Sequence, residues 1–460
     1  MADLRIAWFS PLNPQRNGVS DYSEELLPHL AAHASIELVC GDYTPSNQQI
    51  AGRFPVRSAA WFLNHHDRFD CAVYQLANSV HHHGYMLPCM ERVPGVSVFH
   101  DYYLHFLMLG VTALRGDRAA LERALAPRYG KRARALSWRL LLCLEDPYAV
   151  PMIQPLVRMS RAIVTHSECA RRLIQSENPA SPVSLIPMGM PEPSLAGSRD
   201  DIRRRRGLDP DAFVLASVST LSHTKRIEAV LDAVGRVRAR RPAMRLTLLI
   251  LGGGRLGERA RAAIARNGLE DAVRITGWTG ADAYLEFLAA ADAVIDLRFP
   301  SGAETSASLL RAISCGRPAI VSAQGTFLEL PGEFTVKIPV DDDETRAVAA
   351  AIEEWIDGPA RLAAMSAAAL AYAHTRLRLD SAAAAYAAVI REAIAAPAPA
   401  AVPLATPSSA LLRMPLASLY KLSRAARLCR DYGLADTAGR VLAELRPRRA
   451  QAPLGSRAGL

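Results

Sequence analysis

A carboxylate and a cation lie seven residues apart in the segment RFPSGAETSASLLRAISCGRP, residues 298–318. Glu304 stands at the predicted start of a helix, and Arg311 lies two turns further along the same face. A carboxylate at a helix N-terminus is favourable by under about 1 kcal/mol when exposed, and Thr305 or Ser306 can cap the helix without it. Glu304 is therefore a candidate for binding a ligand rather than for capping.

Two adjacent cations, Lys225 and Arg226, precede an apolar helical pattern in the segment STLSHTKRIEAVL. Positive charge at a helix N-terminus opposes the helix dipole, so this placement favours a bound phosphate group. A solvated helix end is the alternative. The loop that precedes Thr305 contains Gly302, and it predicts a second anion or hydroxyl site at a helix N-terminus.

Two candidate groups follow strand-like runs in the first half of the chain. His100 comes directly after GVSVF, where it could hydrogen-bond to a ligand or donate a proton, although a lone histidine is commonly structural. Gly18 lies in the turn-rich segment NPQRNGVSD and permits close backbone approach to an anion, although an ordinary turn is the alternative. This segment contains neither GxGxxG nor GxxxxGK(S/T), so it indicates no dinucleotide fingerprint and no P-loop.

Alternating strands and helices must position these residues. Short apolar runs predict strands at 4–10, 36–40, 71–76, 95–100, 162–167 and 183–189, and then at 213–219, 245–254, 272–278, 293–298, 318–322 and 334–340. Helical spacing between them, including a helix from about 305 to 315, indicates parallel sheets flanked by helices. Because open parallel sheets bind ligands at the carboxyl ends of their strands, we expect two Rossmann-like α/β domains facing each other across a cleft.

The same pattern gives the predicted domain boundaries. They are a first domain at 1–195 with a helical, Arg- and Leu-rich insertion at about 102–160, a charged linker, a second domain at 210–375, a closing helix at 376–395, an Ala/Pro linker at 396–410 and a basic helical tail at 411–460. The tail has ten Lys and Arg against three Asp and Glu, and it could pack on the body or on a partner.

Composition limits the class of protein. The formal net charge of +9 suits phosphorylated ligands, nucleic acid or an anionic membrane surface, and no nucleic-acid motif accompanies it. No run of about 18 apolar residues predicts a transmembrane helix, and the opening segment MADLRIAWFS lacks the features of a signal peptide. The seven cysteines are scattered, as is typical of reduced thiols. We therefore expect a cytoplasmic protein.

Two segments superficially resemble metal sites. Asp209 and Asp211 form a DxD pattern, but they lie before a strand and predict a turn. The histidines of HHHG at 81–84 are adjacent and cannot easily face one ion, so we interpret them as a polar loop near the cleft. No metal and no cofactor are expected.

Several segments, in order and at consistent spacing, resemble the bacterial family 4 retaining glycosyltransferases, which have the two-domain fold called GT-B. They are NGVSDYSEELLPHL, VFHDYYLH, AIVTHSECARRLI, LIPMGMP and ETSASLLRAISCGRPAIVS, and the resemblance extends to about residue 395. The last segment is similar to the family's most specific motif, in which two glutamates lie about eight residues apart. Arg311 stands where the second glutamate belongs, and Thr220 stands where the family has an arginine that partners Lys225.

The resemblance implies transfer of a sugar from a UDP- or GDP-sugar to a saccharide or lipid-linked acceptor, with retention of configuration and without a metal. His100 and Glu304 would then be catalytic residues, and Gly18, Lys225, Arg226, Thr305, Ser306 and Arg311 would bind the donor, with Arg311 paired with Glu304 or with phosphate. Arg226 or Arg298 could compensate for Thr220. Cell-surface polysaccharide or glycolipid assembly, with peripheral contact at the inner membrane face, is the expected setting. The basic helices could contact an anionic bilayer or be ordinary packed helices.

Two other functions stay open. A nucleotide-sugar 2-epimerase of similar fold needs carboxylates in the cleft of the first domain, where the sequence offers mostly histidines. A catalytically lapsed scaffold is the other, and the replacement of the second glutamate by Arg311 is its only support.

Overall fold

The chain forms two separate parallel sheets in a computed structural model that describes residues 4–218, 223–253, 256–399, 404 and 410–432. The first sheet contains β1 (Arg5–Phe9), β2 (Ser35–Cys40), β3 (Val56–Ser58), β4 (Cys71–Leu76), β5 (Val96–Phe99), β6 (Ala162–Thr165) and β7 (Val183–Leu185). The second contains β8 (Phe213–Val218), β9 (Leu246–Leu251), β10 (Val273–Gly277), β11 (Ala293–Asp296), β12 (Ala319–Ser322) and β13 (Thr335–Ile338). The predicted pair of Rossmann-like α/β units is confirmed.

Both sheets have the doubly wound order. The strands run β3-β2-β1-β4-β5-β6-β7 in the first sheet and β10-β9-β8-β11-β12-β13 in the second. Every pair is parallel, with Ile6 opposite Ile36 and Cys71 at the centre of the first sheet. The central strands β4 and β8 are buried throughout, because helices cover both faces, and this explains their continuous apolar sequences.

Helices occupy the segments between the strands. In the first half they are α1 (Gly18–Leu30), α2 (Gln48–Arg53), α3 (Ala59–His65), α4 (Val80–His83), α5 (Leu87–Arg92), α6 (His105–Val111), α7 (Arg118–Tyr129), α8 (Ala133–Leu141), α9 (Gln154–Met159) and α10 (Glu168–Glu177). The rest are α11 (Arg199–Arg205), α12 (Ile227–Arg240), α13 (Glu258–Arg266), α14 (Ala281–Ala290), α15 (Ala307–Ser314), α16 (Glu344–Asp357), α17 (Pro359–Arg376), α18 (Leu379–Ala395) and α19 (Ala410–Tyr432). Short 3₁₀ helices at 66–68, 113–115, 130–132, 147–149, 223–225 and 325–329 complete the set. Within the described residues no helix is long and apolar enough to cross a bilayer.

Two sequence-based interpretations of local structure were wrong. The charged linker contains α11, which begins with a capping box between Ser198 and Asp201 and buries Arg203 against backbone carbonyls. The HHHG segment forms the short helix α4 rather than a loop, and the His83 ring packs inside with Nδ1 2.8 Å from the Gln75 carbonyl oxygen. Both segments are polar in composition, and the fold satisfies their polar groups with hydrogen bonds to residues that the local pattern does not reveal.

The chain crosses between the two halves twice, at neighbouring places. The Met190 N–H donates to the Leu377 carbonyl at 2.7 Å, and a Cβ added at Gly189 would lie 2.9 Å from the Leu379 Cα. After the second crossing α18 packs on α1 of the first half, where Tyr22 and Tyr386 are hydrogen-bonded at 3.3 Å. The helix α19 then packs near the insertion, with the Arg427 guanidinium donating to the carbonyl oxygens of Cys143 and Glu145. Residues 433–460 of the predicted tail lie outside the described part.

Candidate functional site

The carboxyl ends of the two sheets face each other, and the loops that follow the strands make direct contact. The Tyr102 N–H, after β5, donates to the Gly302 carbonyl in the loop after β11 at 3.0 Å. The exposed carboxylate of Glu329 accepts from the backbone N–H groups of Glu168 and Cys169 at 2.8 and 2.6 Å, at the N-terminus of α10. A carboxylate of the second half thus occupies a helix N-terminus of the first, and the two halves enclose the predicted cleft.

The centre of the second-half wall is a buried cluster of charges around Asp296, the last residue of β11. Asp296 is 1% exposed and accepts hydrogen bonds from Ser306 Oγ at 2.6 Å, Lys225 Nζ at 3.3 Å and Arg298 Nη2 at 3.4 Å. Burial acts to raise the pKa of Asp296, but the positive charges of Lys225 and Arg298 outweigh it and hold the pKa below its ordinary value. Asp296 is therefore an anion in an enclosed ionic network.

Glu304 belongs to the same network. Its carboxylate pairs with Arg298 and also accepts from the Gly302 N–H at 2.5 Å. The cap of α15 is Ser306, whose Oγ lies 3.4 Å from the Leu309 N–H, and the helix begins at Ala307 rather than at 305. Glu304 thus holds the loop that precedes the helix, and its predicted catalytic contact with a sugar stays a prediction.

Lys225 and Arg226 point to different partners. Lys225 joins the Asp296 cluster, whereas the Arg226 guanidinium pairs with the buried Glu344 at 2.5 Å. Each cation at this helix start therefore already has a protein carboxylate, and the charge that was expected to attract phosphate is balanced internally. Arg298, rather than Arg226, lies beside Lys225. Thr220 falls outside the described residues.

The guanidinium of Arg311 forms its ion pair with the first half of the chain and not with Glu304. Its Nη2 lies 2.5 Å from Glu25 Oε1, on α1 of the first half. Of the two expected partners of Arg311, Glu304 is wrong, because Arg298 binds that carboxylate while the α15 face that carries Arg311 packs toward α1. Pairing with a donor phosphate stays a prediction. Burial raises the pKa of Glu25, and Arg311 opposes the shift without cancelling it. The pair joins the two halves.

The first-half wall offers histidines. His100 Nε2 lies 2.7 Å from Gln75 Oε1, and its ring centroid lies 5.0 Å from that of His166, which follows β6. Burial lowers the pKa of His100 well below its ordinary value and that of His166 to about 4, so both are neutral at pH 7. His100 was predicted; His166 was missed, although it gives the same signal of a histidine at the end of a strand.

The residue after His100 supplies a carboxylate to this wall. Asp101 Oδ2 accepts from the Asn78 N–H at 2.8 Å. Burial and the neighbouring charge of Glu304 raise the pKa of Asp101 to about 6. Asp101 is thus a first-half carboxylate that faces the second-half charge cluster.

Gly18 begins α1, but the N-terminus of this helix is already capped. Asn17 Oδ1 accepts from the N–H groups of Val19 and Ser20, both at 2.9 Å. Space around Gly18 is open, since an added Cβ would meet no atom within 4 Å. An anion could approach there, and its predicted role in binding a donor stays a prediction.

Thr305 and Ser306 line a cavity of about 60 Å³ between the halves, with His166 on the opposite wall. Among the described residues no group of three or more His, Cys, Asp or Glu side chains could share a metal ion. Asp209 and Asp211 are bound by Arg245 at 2.9 and 2.8 Å, as expected for a turn.

Comparison with known proteins finds a family match within the second half. Residues 198–371 match the family described as glycosyl transferases group 1. A D-inositol 3-phosphate glycosyltransferase from Thermobispora bispora is 30% identical over 179 residues, which cover 37% of this chain and 41% of the relative. The chain thus spans about two fifths of the length of the curated relatives it matches.

Solved structures resemble nearly the whole fold. HepE from Anabaena, in complex with UDP and glucose, has a TM-score of 0.58 at 16% identity and covers 85% of this chain and 100% of its own. WaaG, a glycosyltransferase involved in lipopolysaccharide biosynthesis, has a TM-score of 0.56 at 15% identity, with 84% and 99% covered. The chain therefore has the GT-B fold, and its residues 198–371 match the family of glycosyl transferases group 1.

Proposed function

We propose that the protein is a retaining glycosyltransferase that moves a sugar from a UDP- or GDP-sugar to a saccharide or lipid-linked acceptor. The observation that carries the proposal is the buried cluster of Lys225, Arg298 and Asp296 beside the N-terminus of α15. Support comes from the glycosyl transferases group 1 match, and from the similarly folded HepE, whose structure contains UDP and glucose.

The cluster can exchange its internal anions for those of a donor. A diphosphate beside α15 would bring the negative charge that Lys225 and Arg298 now receive from Asp296 and Glu304, while the free helix N–H groups add favourable dipoles. In the transfer the bond between C1 and the phosphate oxygen breaks and a bond from C1 to the acceptor oxygen forms on the same face. The leaving phosphate takes the acceptor proton. Preorganised cations stabilise the charge that develops on this phosphate, so no general-base carboxylate is required.

A donor panel tests the proposal. UDP, GDP and their glucose, N-acetylglucosamine and mannose conjugates are titrated calorimetrically into the wild type, Lys225→Ala and Lys337→Ala. We expect at least one to bind and Lys225→Ala to weaken it about tenfold or more. Lys337→Ala is the matched control, because this half-buried second-half lysine donates to the Leu328 carbonyl away from the cluster. Absence of binding at millimolar concentrations, or equal weakening by both variants, overturns the proposal.

The acceptor side of the proposal is a contact with the cytoplasmic face of the membrane, in polysaccharide or glycolipid assembly. Trp138 on α8 and Leu144 after it are 41% and 53% exposed, within the Arg-rich insertion. Exposed apolar side chains among arginines suit an anionic bilayer surface. In co-sedimentation we expect binding to vesicles with phosphatidylglycerol and none to pure phosphatidylcholine, and weaker binding of a Trp138→Ser, Leu144→Ser variant. Equal sedimentation with both vesicle types contradicts this part.

A nucleotide-sugar 2-epimerase is the second candidate, and Asp101 is the observation that favours it. This carboxylate lies in the first half of the cleft, and its raised pKa of about 6 suits proton transfer. Product analysis separates the two functions, because an epimerase converts its nucleotide sugar without any acceptor. Formation of a 2-epimer from the bound donor alone would favour the second candidate over the first.

A further inference from the structure

His166 lies at the interface of the two halves, where it follows β6 and is 8% exposed. Its Nδ1 is 2.9 Å from the Ile186 carbonyl oxygen. A carbonyl oxygen can only accept, so Nδ1 carries the hydrogen of the neutral ring. The Ile186 carbonyl therefore fixes the tautomer, in which Nε2 carries no hydrogen and has a lone pair that can accept a hydrogen bond.

The Nε2 atom is buried and has no hydrogen-bond partner among the residues that the structure describes. Buried polar atoms of native proteins are nearly always paired. The neighbouring His100 ring does not supply a donor. Its Nε2–H donates to Gln75 Oε1, so the Nδ1 of this neutral ring carries no hydrogen. The Nε2 atom inside the interface can therefore accept a hydrogen bond from a donor group of a ligand.

His166 lines the cavity of about 60 Å³ that Thr305 and Ser306 close from the second half. One water needs about 10–15 Å³ of cavity volume, so the cavity admits a hydroxyl-bearing fragment and not a whole sugar ring. The cavity adjoins the N-terminus of α15, which is the place proposed above for the donor diphosphate.

We propose that His166 Nε2 accepts a hydrogen bond from a hydroxyl group of the donor sugar, which enters this cavity when the diphosphate lies at α15. The inference rests on the proposed function and adds a binding contact from the first half. A hydroxyl is the matching chemistry, because a lone pair accepts from O–H and is repelled by a carboxylate or phosphate oxygen. The depressed pKa of His166 agrees, since the ring does not gain a proton and turn into a donor near pH 7.

Two substitutions at His166 distinguish the role of Nδ1 as a donor from the role of Nε2 as an acceptor. His166→Asn can keep a donor near the Ile186 carbonyl and loses the acceptor at the Nε2 position, whereas His166→Gln can place an amide oxygen near that position. Calorimetry with UDP, UDP-glucose, UDP-N-acetylglucosamine, GDP and GDP-mannose measures how much each sugar adds to the affinity of its nucleotide. For the conjugate that binds best to the wild type, we expect His166→Asn to reduce this gain about tenfold, His166→Gln to retain part of it, and the affinity for the nucleotide alone to stay unchanged.

The outcomes are distinct from those for the proposed function. If no nucleotide binds the wild type, the proposed function fails and this contact fails with it. If sugar conjugates bind the wild type and His166→Asn equally, only the contact is overturned. Equal weakening of nucleotide and conjugate overturns the assignment to the sugar. Histidine ¹⁵N NMR of the wild type checks the contact without a substitution: we expect an unprotonated Nε2 that shifts with the sugar conjugate and not with the nucleotide, and a protonated Nε2 overturns the proposal.

Discussion

The two walls of the cleft come from similar sheets but differ in how their histidines and ions are held. The first-half wall presents His100 and His166, which are neutral because burial disfavours their charged forms and their partners are an amide and a carbonyl oxygen. The second-half wall presents Asp296, Lys225 and Arg298, which remain ions because each has a counter-ion. Strand ends alike in position thus provide hydrogen-bond acceptors on one side and compensated charge on the other.

Removing the anion at the centre of the charged wall is expected to have the largest effect. Asp296→Ala leaves Lys225 and Arg298 as buried cations with one carboxylate fewer, and we expect a loss of about 3–5 kcal/mol in the free energy of unfolding. Denaturant titration measures it. Asp357→Ala, which breaks the exposed pair with Arg241, is the control and should scarcely change stability. A small effect of Asp296→Ala would mean that the cluster is not enclosed.

The neutral wall predicts a loss of stability in acid. The pKa of His166 is about 4 when folded and ordinary when unfolded, so the unfolded chain binds more protons as pH falls from about 6.5 to 4, and folding is disfavoured there. We expect His166→Asn to remove up to about 3 kcal/mol of this loss at pH 4. Unfolding free energies of both proteins between pH 4 and 8 provide the measurement, and parallel curves would contradict the prediction.

Asp101 sharpens the comparison because its pH dependence has the opposite sign. Its pKa is raised to about 6, so the carboxyl of the folded state stays protonated to a higher pH than that of the unfolded state. Ionisation therefore lowers the stability as pH rises from about 4 to 6. Asn cannot ionise, so we expect Asp101→Asn to gain stability relative to the wild type across this window. The gain is limited to about 2 kcal/mol because the side chain is part-buried. A difference that does not vary with pH would show that the carboxyl is not shifted.

The pair that joins the walls should have the smallest effect. Arg311→Ala, Glu25→Ala and the double variant form a cycle, for which we expect a coupling free energy of about 1–2 kcal/mol. The exposed pair Arg238–Asp271 gives a control cycle with a smaller coupling. Additive effects of the Arg311 and Glu25 substitutions would mean that the ion pair does not hold the halves together in solution.

The sequence was sufficient for the parts of the molecule that depend on local pattern. Continuous apolar runs gave both parallel sheets, and the position of His100 at the end of β5 follows from the run that precedes it. The helix after Glu304 was also predicted, although it begins two residues later than expected. These features depend on periodicity and on neighbours along the chain.

The pairing of charges could not be predicted, because it depends on which helices pack together. Arg311 finds Glu25, 286 positions away, and Arg226 finds Glu344, 118 positions away. Neither acid carries a local signal that distinguishes it from other surface-type glutamates. Asp296 and His166, in contrast, end apolar strands, and attention to polar residues at every strand end would have found both.

The two adjacent crossings near Met190 and Leu377 have a mechanical consequence. Two domains joined by one chain segment can rotate relative to each other in any direction. Two adjacent connecting segments define a hinge axis, about which rotation is easy and across which shear is resisted. Opening of the cleft should therefore be a rotation about this single hinge axis. The contact between Glu329 and the N-terminus of α10 would break during this rotation. A proteolytic cut in either crossing would leave the halves tethered by the other while removing the fixed axis.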